Sequence, residues 1–189
     1  MELLLAVQRL VQQVQVRFKH TLACRRPVEY SSQIQPVIPT PGHGALPAGH
    51  AAEAFAMAIV LIAITGGKVP QLPSQAIALA HRVAQNRVVA GVHFPVDLIA
   101  GAILGLVLGA YFVTRATGHP QAAMGAWSFV GEDSSLETRD LEIGHFYDIA
   151  GGTLIQQGYL QPWGTGTVLG EVSSPILAHL WTRGVQEWP

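Results

Sequence analysis

Residues 86–113 read NRVVAGVHFPVDLIAGAILGLVLGAYFV. Pro95 has no amide hydrogen and fits only the first turn of a helix, so this stretch predicts a helix beginning near His93 and running to about Arg115. From Leu98 to Ala110 no side chain is polar, which predicts burial nearly all round. A second run, AAEAFAMAIVLIAI at 51–64, has the same character. Both apolar runs (98–113 and 51–64) fall short of the roughly 18–20 residues that a bilayer crossing needs. The segment between them, LPSQAIALAHRVAQNR, carries His81, Arg82, Gln85, Asn86 and Arg87 and reads as a water-facing helix. The expectation is an all-α bundle with no membrane span.

Working outward, Leu3, Leu4, Val7, Leu10, Val11, Val14 and Phe18 recur at helical spacing and predict one amphipathic helix over 2–23. RRPVEYSSQIQPVIPTPGHGALPAG follows, a loop with five prolines and three glycines. Loops of that length inside a compact domain are usually functional. The next helix begins near Gly49–His50 and stops at Thr65-Gly66-Gly67. Another runs from about Ser74, a favourable N-cap, to Val88. The last third is rich in glycine and acidic residues. Within it only a short helix near 174–183 is legible. Residues 1–120 therefore read as a helical domain and 121–189 as an irregular region that packs on it or links to a partner. His81 and Arg82 are expected on a polar helix face, and Trp163, Trp181 and Trp188 in the packing of the C-terminal part.

Hydrophobic residues make up 49% of the 189 and charged residues 12%, a balance that suits extensive helix–helix burial. Net charge is −1, which gives no reason to expect nucleic acid. The charge is divided along the chain. Up to Asp97, the first aspartate, there are eight Lys or Arg against four Asp or Glu; beyond it there are three against eight. A cationic half with few carboxylates suits a small anionic ligand. Cys24 is the only cysteine, so no intrachain disulfide forms. The start of the chain has a short apolar run, Glu2 in place of a basic region and no small-residue cleavage site, so it is not read as a signal peptide and a cytoplasmic location is favoured.

Three groups of residues carry chemistry. Lys19 and Arg26, seven apart at the end of the first helix, can hold an anion or simply offset the helix dipole. Pro47-Ala48-Gly49-His50 heads an apolar helix, where free N–H groups bind oxyanions and a glycine lets the ligand approach. His50 there has the neutral-range titration of a general acid or base. Arg87 can fork onto two oxygens of an anion. His93 and Asp97 stand four apart, so a carboxylate can hold one ring nitrogen and leave the other free to attack. The plain alternative makes Asp97 a first-turn helix acid. His43, seven residues before His50, could line the entrance but reads first as a loop histidine; His119, His145 and His179 lack metal-ligand spacing, so no metal cation site is expected.

Taken in order, K-x6-R-P, P-x-G-H and R-x5-H-x3-D over residues 19–97 resemble the three-part signature of the type 2 phosphatidic acid phosphatase and vanadium-dependent haloperoxidase superfamily. The resemblance implies a helix bundle of that type. It implies that Lys19, Arg26 and Arg87 hold the oxygens of a phosphoryl group or vanadate, and that Gly49 adds its backbone N–H. His93 would then be the nucleophile, or the residue bonded to vanadium; Asp97 would orient it; His50 would protonate the leaving group or serve peroxide. Ala48 and Asn86 stand where the usual motifs carry serine. A missing hydroxyl donor at 48 removes about 1.5–3 kcal/mol of hydrogen bonding to a charged acceptor.

The function expected is a phosphatase acting on a phosphate ester or anhydride through a phosphohistidine, with no cofactor. A vanadate-dependent haloperoxidase and an inactive anion-binding homologue are the alternatives. Eighteen residues precede Lys19, and apolar faces left open by so short a start make a homodimer reasonable.

Overall fold

The computed structural model describes residues 2–137, 139–163 and 173–188. Five helices of three turns or more and one single-turn helix form its frame: α1 (Glu2–Leu22), α2 (Pro27–Tyr30), α3 (Gly49–Thr65), α4 (Leu72–Val89), α5 (Pro95–Thr117) and α6 (Pro175–Gln186). The chain is mostly helical, with an irregular region between α5 and α6.

Helices α3 and α5 make the central pair. Their faces meet through small residues. A side chain on Gly101 would strike the Ala48 carbonyl, and one on Gly105 the Ala52 carbonyl; at Gly109 a Cβ would stand 2.8 Å from Cβ of Ile59. Glycine inside a helix costs roughly 1 kcal/mol relative to alanine. Here three glycines at i, i+4 and i+8 line one face and let two backbones approach, which is what offsets that cost. Around this seam Phe55, Leu98, Ile99, Ala102 and Leu106 are fully buried; each large one contributes about 1.5–3 kcal/mol of apolar transfer. α3 ends where Gly66 takes a left-handed φ of 54°. The 23-residue α5 is longer than its apolar run suggested. By length and composition it is long enough to cross a membrane, and 67% of its most apolar window is buried in the protein.

α1 docks on α3 through Leu3, Val7 and Val11, and the same row continues as Gln15 and Lys19. Phe18, expected in this stripe, is 46% exposed. The i, i+4 row drifts slowly around the helix, so it carries the buried face onto polar residues and leaves Phe18 outside. α4 begins two residues before Ser74. Gln71 is its N-cap, and the Ser74 hydroxyl, one turn in, donates to the Gln71 carbonyl at 3.0 Å. Pro73, tolerated in a first turn, allows the earlier start. Likewise α5 starts at Pro95 with Phe94 as N-cap, so His93 lies just outside the helix.

Beyond α5 the sequence left most of the chain unassigned. Two antiparallel pairs of short strands occur there: β1 (Trp127–Phe129) with β4 (Leu160–Pro162), and β2 (Tyr147–Asp148) with β3 (Thr153–Leu154). Leu136, Leu141, Phe146, Tyr159 and Leu160 are buried in the same apolar cluster as α3, α4 and α5. Arg82 of α4 is exposed as expected, whereas His81 is half-buried and its Nε2–H donates to the Leu141 carbonyl at 2.7 Å. α6 lies across the far end of the bundle, with Leu177, Leu180 and Trp181 against α1, α3 and α5. The tryptophans differ from expectation. Trp181 packs, but Trp163 is 69% exposed and Trp188 also reaches solvent.

Candidate active site

The site gathers at the start of α5. Asp97 sits in its first turn, and its Oδ2 accepts the Phe94 N–H at 3.0 Å, an ordinary way for a helix acid to satisfy a free amide. The same oxygen accepts from His93 Nδ1 at 3.1 Å. His93 therefore meets Asp97 from the segment leading into the helix, not from the helix face that the spacing suggested. The other ring nitrogen, Nε2, lies 2.9 Å from Nη1 of Arg26. A carboxylate accepts only and a guanidinium donates only. Neutral His93 thus carries its proton on Nδ1 and a lone pair on Nε2. Burial holds its pKa below the ordinary histidine value; the Asp97 hydrogen bond and charge oppose this, while Arg26 and Lys19 add to it.

Arg26 is 2% exposed. Its guanidinium donates to the carbonyls of Val92 at 2.8 Å, His43 at 3.2 Å and Gly44 at 3.3 Å, and to Nδ1 of His43 at 3.2 Å. It ties the proline-rich loop to the residue beside His93. Lys19, equally buried, donates to the carbonyls of Gly44 and Ala45 at 3.0 Å each. Burial, with Arg26 nearby, lowers its pKa to about 8. Both cations therefore hold the loop that leads into α3.

Arg87 stands near the end of α4. Its Nε is buried and has no hydrogen-bond partner among the described residues. Its charge reaches Arg26 and His50. A buried guanidinium N–H without an acceptor costs about 1–3 kcal/mol, a deficit that an oxyanion would remove. At the head of α3, Ala48 donates its N–H to the Asp97 carbonyl at 2.8 Å, which ties the second group of residues to the third. The next N–H groups, from Gly49 onward, belong to a first helical turn and have no acceptor within the helix. His50 follows, exposed, its pKa lowered first by desolvation and then by Arg87.

Lys19, Arg26, Gly49, His50, Arg87, His93 and Asp97 thus share one end of the bundle. Lys19 and Arg26 act on the one buried carboxylate, Asp97, and Arg87 acts on Arg26, leaving a surplus of positive charge. Two further neighbours lie beside them. His43 contacts Arg26, and Gln15 packs on Gly49. His43, seven residues before His50, sits in the loop as expected and also reaches the site. Gln15 had a signal, since it lies one turn before Lys19 on the buried row. An open cleft of ≈ 540 Å³ adjoins the loop, lined in part by Lys19, Cys24, Arg25, Thr40 and His43. No group of three or more His, Cys, Asp or Glu side chains suited to a metal ion occurs among the described residues.

Comparison with known proteins gives a family-model match, to the PAP2 superfamily, over residues 2–119. No curated protein matches the chain.

Proposed function

The chain belongs to the PAP2 superfamily, and from that premise, which carries phosphatase-type activity at the level of the superfamily, we propose that it hydrolyses a small phosphate ester or anhydride through a phosphohistidine at His93. The observation that carries the reading is the chain of hydrogen bonds from Asp97 through His93 to Arg26. It supports a neutral imidazole with its lone pair on Nε2, where a phosphoryl group would arrive.

In this reading Nε2 attacks phosphorus, a P–N bond forms, and the P–O bond to the leaving group breaks. His50, on the exposed rim, gives its proton to the leaving oxygen. The arriving oxyanion takes over the hydrogen that Arg26 Nη1 gives to Nε2. Lys19, Arg87 and the Gly49 N–H hold the remaining charge, which acts mainly by electrostatic stabilisation of the transferred group. Water then attacks phosphorus as His50 takes its proton; the P–N bond breaks and phosphate leaves. No cofactor enters this sequence. Vanadate, with the geometry of the phosphoryl group in transfer, would meet the same cations and histidine. We read α5 as a core helix, and recovery of the protein without detergent tests that point.

The test pairs two assays. Hydrolysis of p-nitrophenyl phosphate, blocked by vanadate and lost in His93→Ala, is the expected result. Peroxide-dependent bromination by the vanadate-loaded protein, without hydrolysis, overturns it in favour of a haloperoxidase. Neither activity from folded protein leaves an anion-binding homologue.

A further inference from the structure

We propose that Gln15 is a further anion-positioning residue, its side-chain amide supplying a hydrogen bond to the oxyanion held at the head of α3. This rests on the anion-site reading above.

Gln15 is a polar side chain in an otherwise apolar row. The buried face of α1 runs Leu3, Val7, Val11, Gln15, Lys19. At position 15 an aliphatic residue would fill the same space with no desolvation cost. Instead an amide is buried, 8% exposed, and its Oε1 has no hydrogen-bond partner. A buried amide atom without a partner is unfavourable, because it has given up its water and gained nothing in return. Such a group calls for a partner that arrives from outside the chain.

Its position indicates which partner. The amide lies where a side chain on Gly49 would be: a Cβ built there would meet Gln15 Oε1, Nε2 and Cδ, with Nε2 at 2.8 Å and Cδ at 2.9 Å. Glycine at 49 is thus required by Gln15 as well as by close approach of a ligand. The amide consequently sits against the first residue of a 17-residue helix whose opening N–H groups have no intrahelical acceptor. That helix end has no side-chain cap, because its N-cap is Ala48, and the Ala48 N–H is spent on Asp97. Lys19, one turn along α1, approaches the same end of the bundle. The unpartnered end of the amide and the uncapped helix start are independent observations that converge on one point.

A half-turn about the terminal torsion exchanges the amide oxygen and nitrogen at almost no cost in shape. Toward an oxyanion Gln15 presents its NH₂. In effect it provides a neutral side-chain donor at a place where residue 48 has none.

The test is direct binding of orthovanadate and of inorganic phosphate to the purified full chain, without turnover, followed by ⁵¹V line shape or calorimetry. Two near-isosteric variants, Gln15→Met and Gln15→Glu, are compared with the starting protein. Met keeps the packing and loses the donor; Glu keeps the shape and offers only acceptors. Vanadate affinity is expected to fall about tenfold in Gln15→Met and further in Gln15→Glu, with helical content unchanged. KM for p-nitrophenyl phosphate should rise more than kcat falls. If both variants bind vanadate as the starting protein does, Gln15 is only a packing residue. If either fails to fold, the other decides. A starting protein that binds neither anion overturns the underlying anion site, and this assignment with it.

Discussion

The seam between α3 and α5 and the region from 120 to 163 are built in opposite ways. The seam is made from residues with almost no side chain, Gly101, Gly105 and Gly109 against Ala48, Ala52 and Ala56, so two backbones meet and nothing can adjust. The later region uses large side chains, Phe146, Tyr159 and Leu160, on short strands and turns, and reaches the bundle through an apolar patch and the His81 bond to Leu141. Close backbone contact tolerates no added atom. Side-chain contact can repack, since interiors lose rigidity before they lose stability when volume changes are small. The residues of the proposed site sit at the end of the rigid element, where His93, Asp97 and Gly49 are held by the two helix starts. That arrangement agrees with the need to keep reacting groups within about half an ångström.

Gly105→Val breaks the contrast most severely. Its Cβ alone would meet the Ala52 carbonyl carbon at 3.0 Å and Cβ of Phe55 at 2.9 Å. A loss of about 3 kcal/mol or more is expected, read as a large drop in the thermal midpoint together with loss of activity. A normal midpoint would mean that the seam yields.

Asp97→Asn separates rigidity from chemistry. The amide keeps the shape, but it can donate to His93 and so favour the wrong tautomer. Activity should fall by roughly 10²–10⁴-fold with a much smaller change in stability. An active variant would remove Asp97 from the orienting role.

Changing pH acts on the polar end through Lys19, His50 and His93. Lys19 has a folded pKa of about 8 against 10.5 in the free side chain. Between those values the unfolded chain binds the extra proton, so this residue's contribution to stability rises with pH through that window. Its charge is lost there too, so phosphate or vanadate affinity should weaken as pH rises through about 8. His50 and His93 both titrate below 6.5. A rate requiring protonated His50 and neutral His93 should give kcat/KM an optimum below that value. An alkaline optimum would exchange or remove these roles.

The smallest effects lie in the later region. His81→Ala leaves the Leu141 carbonyl without its donor and should cost about 1–2 kcal/mol of stability, with kcat unchanged. Trp163→Ala, at an exposed position, should stay within about 0.5 kcal/mol. A larger effect on activity from either would tie that region to the catalytic end.

Much of the bundle was legible because helices announce themselves locally. Pro95 marked the start of α5, Gly66 the end of α3, and apolar spacing the docked face of α1. The errors were local competitions as well: Pro73 allowed α4 to start before Ser74, and the drift of the i, i+4 row left Phe18 in water. The short strands beyond 120 were not legible. Pairs of two or three residues leave no periodicity to read, and their partners lie up to 35 positions away.

The sequence by itself determined the five longer helices, the family, and the pairing of His93 with Asp97, because turn chemistry, apolar period and a four-residue spacing act within one or two turns of chain; single-turn α2 lies in a stretch read as loop. Only the tertiary structure decided that Lys19 and Arg26 bond to loop carbonyls, that Arg26 reaches His93, that His43 touches Arg26, and that Gln15 lies on Gly49. The physical reason is separation. Those contacts join residues 17 to 67 positions apart, or α1 to the head of α3, and no local preference encodes a bond made only when two helices dock.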